Sequence, residues 1–403
     1  MWVESVLDAP KVQVQIREKL QLLIDEANRF PELSEVMVDA FRKLSFGNLK
    51  LLASEESKLI RRFREIAYPL EFNPKPPPNW SPLRPIDERW ADEALSRTLI
   101  IGVDTSEITP TPHISPVFLL VNVGYQAVLY GRKSIYLEGS TPFFYASKEI
   151  VEEFKGRRRV PAWILEVKRI EDELRVIRDL VGKAPKGEAT LALFDESFSM
   201  GYLMARSKEF RSKVVSAMLS LHEELKNLNV IPVGVFYTRS RAFTFSVIRS
   251  VVCGSKVCSE CISSGEELEC RRLASIRDLI LFDKALELGW RSPLFEVKSQ
   301  LTSEFSELKV VGFYLKVGAS NVFRVEFPSW CADHVDFIHK GVLAQSIIGR
   351  GYPYILERAH ERAYISSRER AWVLTYIDRL LRSSGEARLS LSGKFRRKLR
   401  GVV

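Results

Sequence analysis

The stretch LIIGVDTSEI, Leu99–Ile108, drives an apolar run through Gly102 and Val103 straight into the carboxylate of Asp104 and the hydroxyls of Thr105 and Ser106. A buried strand that ends on a charge needs a reason, because an ionised group is costly to hold away from water unless it is paired or hydrogen-bonded. Downstream, PVFLLVNVGYQAVLYG (116–131) supplies two apolar runs around Gly124, the pattern of a hairpin or meander beside that first strand. VPAWILEVKRIEDELRVIRDLVG (160–182) is amphipathic at helical period, with Trp163, Val167, Ile170, Leu174, Ile177 and Val181 on one face and Gly182 as its stop. ATLALFDES (189–197) is a second strand that ends on a carboxylate, Asp195; KVVSAMLSLHEELKNLN (213–229) is a helix; VIPVGVFY (230–237) is a third strand, apolar on both faces. Strand, helix, strand, helix, strand predicts an α/β fold with a mixed sheet flanked by helices.

Upstream the pattern is helical. VQVQIREKLQLLIDEANRF places Val14, Ile16, Leu20, Leu23, Ile24 and Ala27 at helical spacing, and VMVDAFRKL and KLIRRFREIAYPL continue it, so residues 1–71 read as an N-terminal helical arm that packs on the main domain or on a partner subunit. FNPKPPPNWSPLRP, with five prolines from Pro74 to Pro82, cannot be helix interior and reads as extended, within a Pro-rich connector over 72–98. The main domain then spans 99–388, and 389–403 is a tail whose SLSGKFRRKLRG carries five basic residues and no acid.

Composition bounds the function. The chain of 403 residues is 46% hydrophobic and 28% charged, which is a globular balance, and its net charge of +9 suits a polyanionic partner as well as ordinary solubility. No charged-then-apolar leader opens the sequence, and no apolar run approaches the roughly 18 residues of a membrane span, so a soluble, cytoplasmic protein without a membrane partner is expected.

Open α/β sheets bind ligands at the carboxyl ends of their strands. Asp104 and Asp195 both stand there. Each by itself reads as a cap for the following turn, but two such aspartates with an acidic helix between them predict a site for a hard cation such as magnesium or manganese, because clustered carboxylates repel unless a cation neutralises them. The third carboxylate is expected from the helix. At about 100° per residue, Glu173 and Glu166 share a flank of the apolar stripe and Glu171 lies on the opposite one, which ranks Glu173 first and Glu166 second.

GVDTS, then R-x-x-x-E-L from Arg169 to Leu174, then LALFDES, GWRSPLF, FRVEFP and GRGYPYILERAH, in that order from about Leu99 to Ile365, resemble the NurA nucleases of archaea and some bacteria. The resemblance implies an RNase H-like core and a homodimer with a central funnel. It further implies a manganese-dependent deoxyribonuclease that degrades single- and double-stranded DNA from the 5′ side, acting with a HerA-type hexameric ATPase translocase in DNA end resection and double-strand break repair. By resemblance Asp104 and Asp195 are metal-binding aspartates, Glu173 is the helix glutamate and His360 is the late histidine of the site. DES stands where the family often carries DGS, so a catalytically attenuated DNA-binding or scaffolding subunit is the alternative reading.

Phosphodiester hydrolysis fits this donor set. Two cations about 4 Å apart generate the attacking hydroxide and hold the charge of the leaving oxygen, and a histidine can orient the water or protonate that oxygen. Phosphate contacts are expected from Arg239 and Arg241 in TRSRAF and from Arg291 in GWRSPLF, and Tyr237, Phe243, Trp290 and Tyr352 are available to stack bases. The apolar segment around FRVEFPSW is expected, with the arm, at contacts with a second copy or with the translocase. Finally, Cys253, Cys258, Cys261 and Cys270 form a C-x4-C-x2-C-x8-C array within an insertion (253–270), where a structural zinc site and disulfides stand level and free thiols come third.

Overall fold

A computed structural model describes residues 7–42, 60, 65–83, 85–111, 114–131, 135–154, 157–185, 187–237, 277–385 and 389–391. Within these residues nine strands join one mixed sheet: β1 (Glu65–Pro69), β2 (Thr98–Ile108), β3 (Phe118–Leu129), β4 (Ile135–Ala146), β5 (Ala189–Phe194), β6 (Val230–Phe236), β7 (Phe295–Ser299), β8 (Val310–Gly318) and β9 (Asn321–Pro328). Their spatial order is β1-β7-β8-β9-β6-β5-β2-β3-β4. β2 pairs antiparallel with β3 and β3 with β4, while β5 runs parallel to β2 and β6 parallel to β5. The remaining strands add antiparallel pairs, with β9 meeting β6 through Glu326 opposite Gly234.

Side chains alternate across a strand, and here the alternation sorts the core into two layers. Leu99, Ile101 and Val103 of β2 and Ala192 and Phe194 of β5 pack with the helices Ile164–Lys183 and Lys208–Asn227. Ile100, Leu191 and Leu193 point the other way, against the helices Glu88–Leu95, Val335–Ile348 and Tyr354–Ala363. In chain order these five helices are α1 (Glu88–Leu95), α2 (Ile164–Lys183), α3 (Lys208–Asn227), α4 (Val335–Ile348) and α5 (Tyr354–Ala363).

The α/β expectation stands, with four local corrections. KLIRRFREIAYPL does not stay helical: Glu65–Pro69 is a strand that pairs with β7, and Ile66 and Ala67 are buried there. Gly124 makes no turn. It lies in the middle of the twelve-residue strand β3, where the missing Cβ admits the backbone of α5. The buried face of α2 is rotated from the predicted stripe and carries Ile164, Ile170, Asp172, Glu173, Val176, Ile177 and Leu180, with Trp163, Val167, Leu174 and Val181 half-buried at its border. FRVEFP lines no partner surface, since β9 is an interior strand whose residues from Val322 to Pro328 are all buried. The arm begins as the helices Ala9–Glu18 and Leu20–Arg42, where Val14, Ile16, Leu20, Leu23 and Ile24 are exposed and Val38 and Phe41 are buried in the core. No described helix is long and apolar enough to cross a membrane.

Candidate active site

The site assembles where β5 ends, beside a β2 that runs on past it: β2 does not stop at Asp104 as expected but continues to Ile108, with Asp104 opposite Gly124 of β3 and Val103 opposite Phe194, the last residue of β5. Two glycines let α5 lie directly on the sheet above them: a Cβ on Gly102 would sit 2.5 Å from the Ile355 carbonyl oxygen, and one on Gly124 2.1 Å from the Ala363 nitrogen. The end of α5 is fastened by Asn122, whose side-chain amide donates to the Ala363 carbonyl at 2.9 Å. So seated, α5 carries His360 over Asp104 of β2, and its Nδ1 lies 2.6 Å from Asp104 Oδ2. The other Asp104 oxygen accepts the Thr105 backbone N–H at 2.8 Å.

Asp195 joins this side of the sheet edge. Burial raises its carboxyl above the ordinary aspartate value; the Tyr352 hydroxyl beside it works against that rise, Asp104 adds to it and His360 opposes it. Burial, Asp195 and Asp104 in turn push the Tyr352 phenol far above its usual range. Tyr352, expected to stack a base, is half-buried beside this carboxylate.

Across the sheet edge stand the groups that α2 supplies. Glu173 is buried, and burial together with the nearby Glu196 and Asp104 pushes its carboxyl well above the ordinary range. Glu196 is raised as well, by burial first, with Glu166, Asp104 and Asp195 adding to the effect and Arg169 opposing it. Arg169 is the cation among these acids: its Nε donates to Thr105 Oγ1 at 2.6 Å and its Nη1 lies 3.3 Å from Glu166. Burial disfavours its charge, but Glu173, Glu196 and Glu166 outweigh that cost and hold the guanidinium protonated. Glu171 faces away and pairs with Lys168 at 2.8 Å, as the flank argument predicts.

The residues singled out in the sequence thus separate. Asp104, Asp195, His360, Glu173 and Glu166 gather at one strand-end cluster. Arg291 does not: it is 2% exposed, with its guanidinium 2.6 Å from Glu71, so it cannot reach a phosphate. Ser292 is buried beside it, and Trp290 packs edge-on against Trp80. Tyr237 is exposed at the end of β6. Arg239, Arg241, Phe243 and the four cysteines of 253–270 lie outside the described residues. Two further residues join the cluster: Glu196, in the sequence only the glutamate of DES, and Arg169, in the sequence only the arginine of R-x-x-x-E-L.

The donors fit a hard divalent cation, being carboxylate oxygens. Glu196 Oε1 is buried and makes no hydrogen bond within the described residues, and the repulsion from Glu196 and Asp104 that adds to burial in raising Glu173 is one a cation would relieve. As the side chains stand, no three His, Cys, Asp or Glu among the described residues form a group arranged to hold a metal ion.

A family model for the NurA domain matches residues 98–365. No curated protein matches the chain. Among solved structures, the NurA nuclease from Sulfolobus solfataricus is 13% identical, with a TM-score of 0.47, over 93% of this chain and 98% of that one. A NurA structure bound to dAMP and manganese is 12% identical, with a TM-score of 0.27, over 88% of this chain and 94% of that one.

Proposed function

Because the chain belongs to the NurA family, we propose that it is a metal-dependent deoxyribonuclease, using manganese or magnesium, that trims DNA from the 5′ side and cuts single strands. We place it in end resection and double-strand break repair, as a homodimer working with a HerA-type hexameric translocase. The order β4-β3-β2-β5-β6, with β2, β5 and β6 parallel, supports an RNase H-like core for that chemistry. The observation that carries the reading is the 2.6 Å contact between His360 Nδ1 and Asp104 Oδ2 at the strand end that also holds Asp195.

Asp104, Asp195 and Glu173 would hold the cation, with Glu166 or Glu196 in reserve on the α2 side. A bound divalent ion lowers the pKa of water and stabilises charge on the leaving oxygen. The protein's own residues do the rest. Asp104 accepts from the Nδ1–H of His360, which fixes the ring and leaves Nε2 to hold or give a proton. Tyr352, beside Asp195, opposes the upward shift that burial gives that carboxyl. Arg169 offsets the acids on the other side and ties α2 to β2 through Thr105.

Incubating single- and double-stranded DNA with the protein, with and without manganese, tests the proposal. Metal-dependent release of nucleotides that is lost in Asp104→Ala supports it. Binding of DNA without cleavage in any divalent ion favours the scaffolding alternative.

A further inference from the structure

The FRVEFP segment holds a buried ion pair that reaches the candidate site. Arg324 and Glu326 are both fully buried on β9, with Arg324 Nη2 2.5 Å from Glu326 Oε1 and 3.4 Å from Glu65 Oε1. The other oxygen of Glu326 leaves its own strand. It accepts the Ser197 hydroxyl at 3.0 Å and the Ser199 backbone N–H at 2.9 Å. Those two donors belong to the segment immediately after Asp195 and Glu196. The two serine hydroxyls are also 2.8 Å from each other, so the carboxylate closes a small network around the turn.

Two further contacts hold the same segment. Phe198 is buried between Phe194 and His222, with ring centroids 5.5 and 4.9 Å away. Gly234, the residue paired with Glu326 across the β9–β6 ladder, leaves room for the Glu196 carbonyl, which would stand 2.5 Å from a Cβ there. A strand end carrying a charged side chain needs such a frame, since the acids clustered there push one another apart.

We propose that Glu326 is a positioning residue for the site: paired with Arg324, it clamps the 197–199 turn and so fixes where Asp195 and Glu196 project. Its hydrogen bonds are charge-assisted, hence stronger than those of a neutral acceptor, and they lie away from water where a misplaced donor is costly. The antiparallel strands beyond β6 thereby become part of the machinery instead of an appended edge. The proposal rests on the nuclease reading only for its catalytic readout.

The test compares Glu326→Gln with wild type in three measurements: kcat and KM on DNA with manganese, titration of manganese ions alone, and hydrogen exchange of the 195–200 amides. A neutral amide cannot serve Arg324 and the two turn donors together. The expected result is faster exchange in 195–200, manganese affinity weakened about tenfold, and kcat lowered about 10- to 100-fold with KM unchanged, the range found when a residue orienting a ligand is lost. Leu301→Ala, a core truncation in the same extension, controls for simple destabilisation and should lower the melting temperature with none of these effects. If Glu326→Gln behaves like Leu301→Ala, the proposal is overturned. Should Glu326→Gln fail to fold, Ser197→Ala removes one donor without leaving a buried charge; wild-type exchange and manganese affinity in that variant overturn the proposal. Wild-type protein that cleaves no DNA would sink the nuclease reading alone, because exchange and manganese binding still decide the role of Glu326.

Discussion

Asp104 and His360 stand 256 positions apart in the chain and 2.6 Å apart in the fold. The histidine side chain is 68% exposed and the aspartate 19%, so the contact lies at the rim of the site, where the pair itself adds little to stability. Its value lies in orientation. His360→Ala should therefore leave the melting temperature near wild type and lower kcat by about 100-fold or more, the scale of a lost general acid or base. Measuring Asp104→Asn, His360→Ala and the double variant on the same DNA should show strong non-additivity, because both changes remove one unit. Additive losses would separate the two residues functionally.

Asp104→Ala and Asp195→Ala should each abolish metal-dependent cleavage while folding normally. Deleting one acid from a crowded group relieves repulsion, so thermal stability in metal-free buffer should hold or rise. Cleavage assays paired with melting curves check both halves. A large drop in melting temperature would make these residues structural.

On α2 the contrast lies between two glutamates. Glu173→Gln should be far more damaging to cleavage than Glu171→Gln, since Glu173 is buried beside Glu196 and Asp104 whereas Glu171 pairs at the surface with Lys168. Glu166→Gln should fall between them, because its carboxylate is engaged by Arg169. Equal rates for all three variants would move the helix ligand elsewhere.

Much of this was legible because period-2 and period-3.6 patterns survive wherever a face is buried. LALFD marks a strand end from composition alone, whereas LIIGVD marks a strand but not its end, since β2 runs on to Ile108, and the flank of Glu173 follows from helical geometry. What the patterns hide is contact between distant segments. Gly124 looks like a turn signal locally, and only the approach of α5 shows that the position needs a missing Cβ. Arg291 resembles any loop arginine until Glu71, 220 positions away, is placed beside it. Glu65–Pro69 reads as helix because the sequence before it is helical, while its partner β7 lies some 230 residues on. Arg324 and Glu326 break the apolar pattern of β9, and no local rule says that they satisfy each other and a turn on another strand.

Two histidines make acid stability testable. Burial pushes His222 and His339 down to about 3, against about 6.5 for an unfolded chain. Both are neutral in the folded protein at neutral pH, so above pH 6.5 neither state takes up a proton and no penalty arises. Between about pH 6.5 and 3 the unfolded chain binds protons that the folded one refuses, and stability falls as pH falls. Each histidine should add about 1.4 kcal/mol per pH unit to that slope. His222 packs on Phe198 and its Nε2 makes no hydrogen bond within the described residues, so His222→Leu should flatten the slope by one histidine's share. Urea denaturation at several pH values reads this, and an unchanged slope would show that His222 is charged or solvated in the folded protein.

The last prediction joins packing to chemistry through Gly124. Its missing Cβ is occupied by α5: an added methyl would lie 2.1 Å from the Ala363 nitrogen and 2.3 Å from the Ala359 carbonyl oxygen, both backbone atoms that cannot rotate away. Gly124→Ala must therefore lift the end of α5 from β3. His360 lies between Ala359 and Ala363, so the lift carries the imidazole away from Asp104 and stretches the Asn122 bond to Ala363. Overpacking of this kind costs about 1–3 kcal/mol, and the same displacement should lower kcat by more than the loss of folded protein explains. A core truncation far from α5, such as Leu301→Ala, should cost comparable stability and leave kcat per folded molecule intact. Activity normalised to the folded fraction compares the two variants. If Gly124→Ala and Leu301→Ala fall on one line of activity against stability, the seat of α5 on the sheet does not set the catalytic geometry.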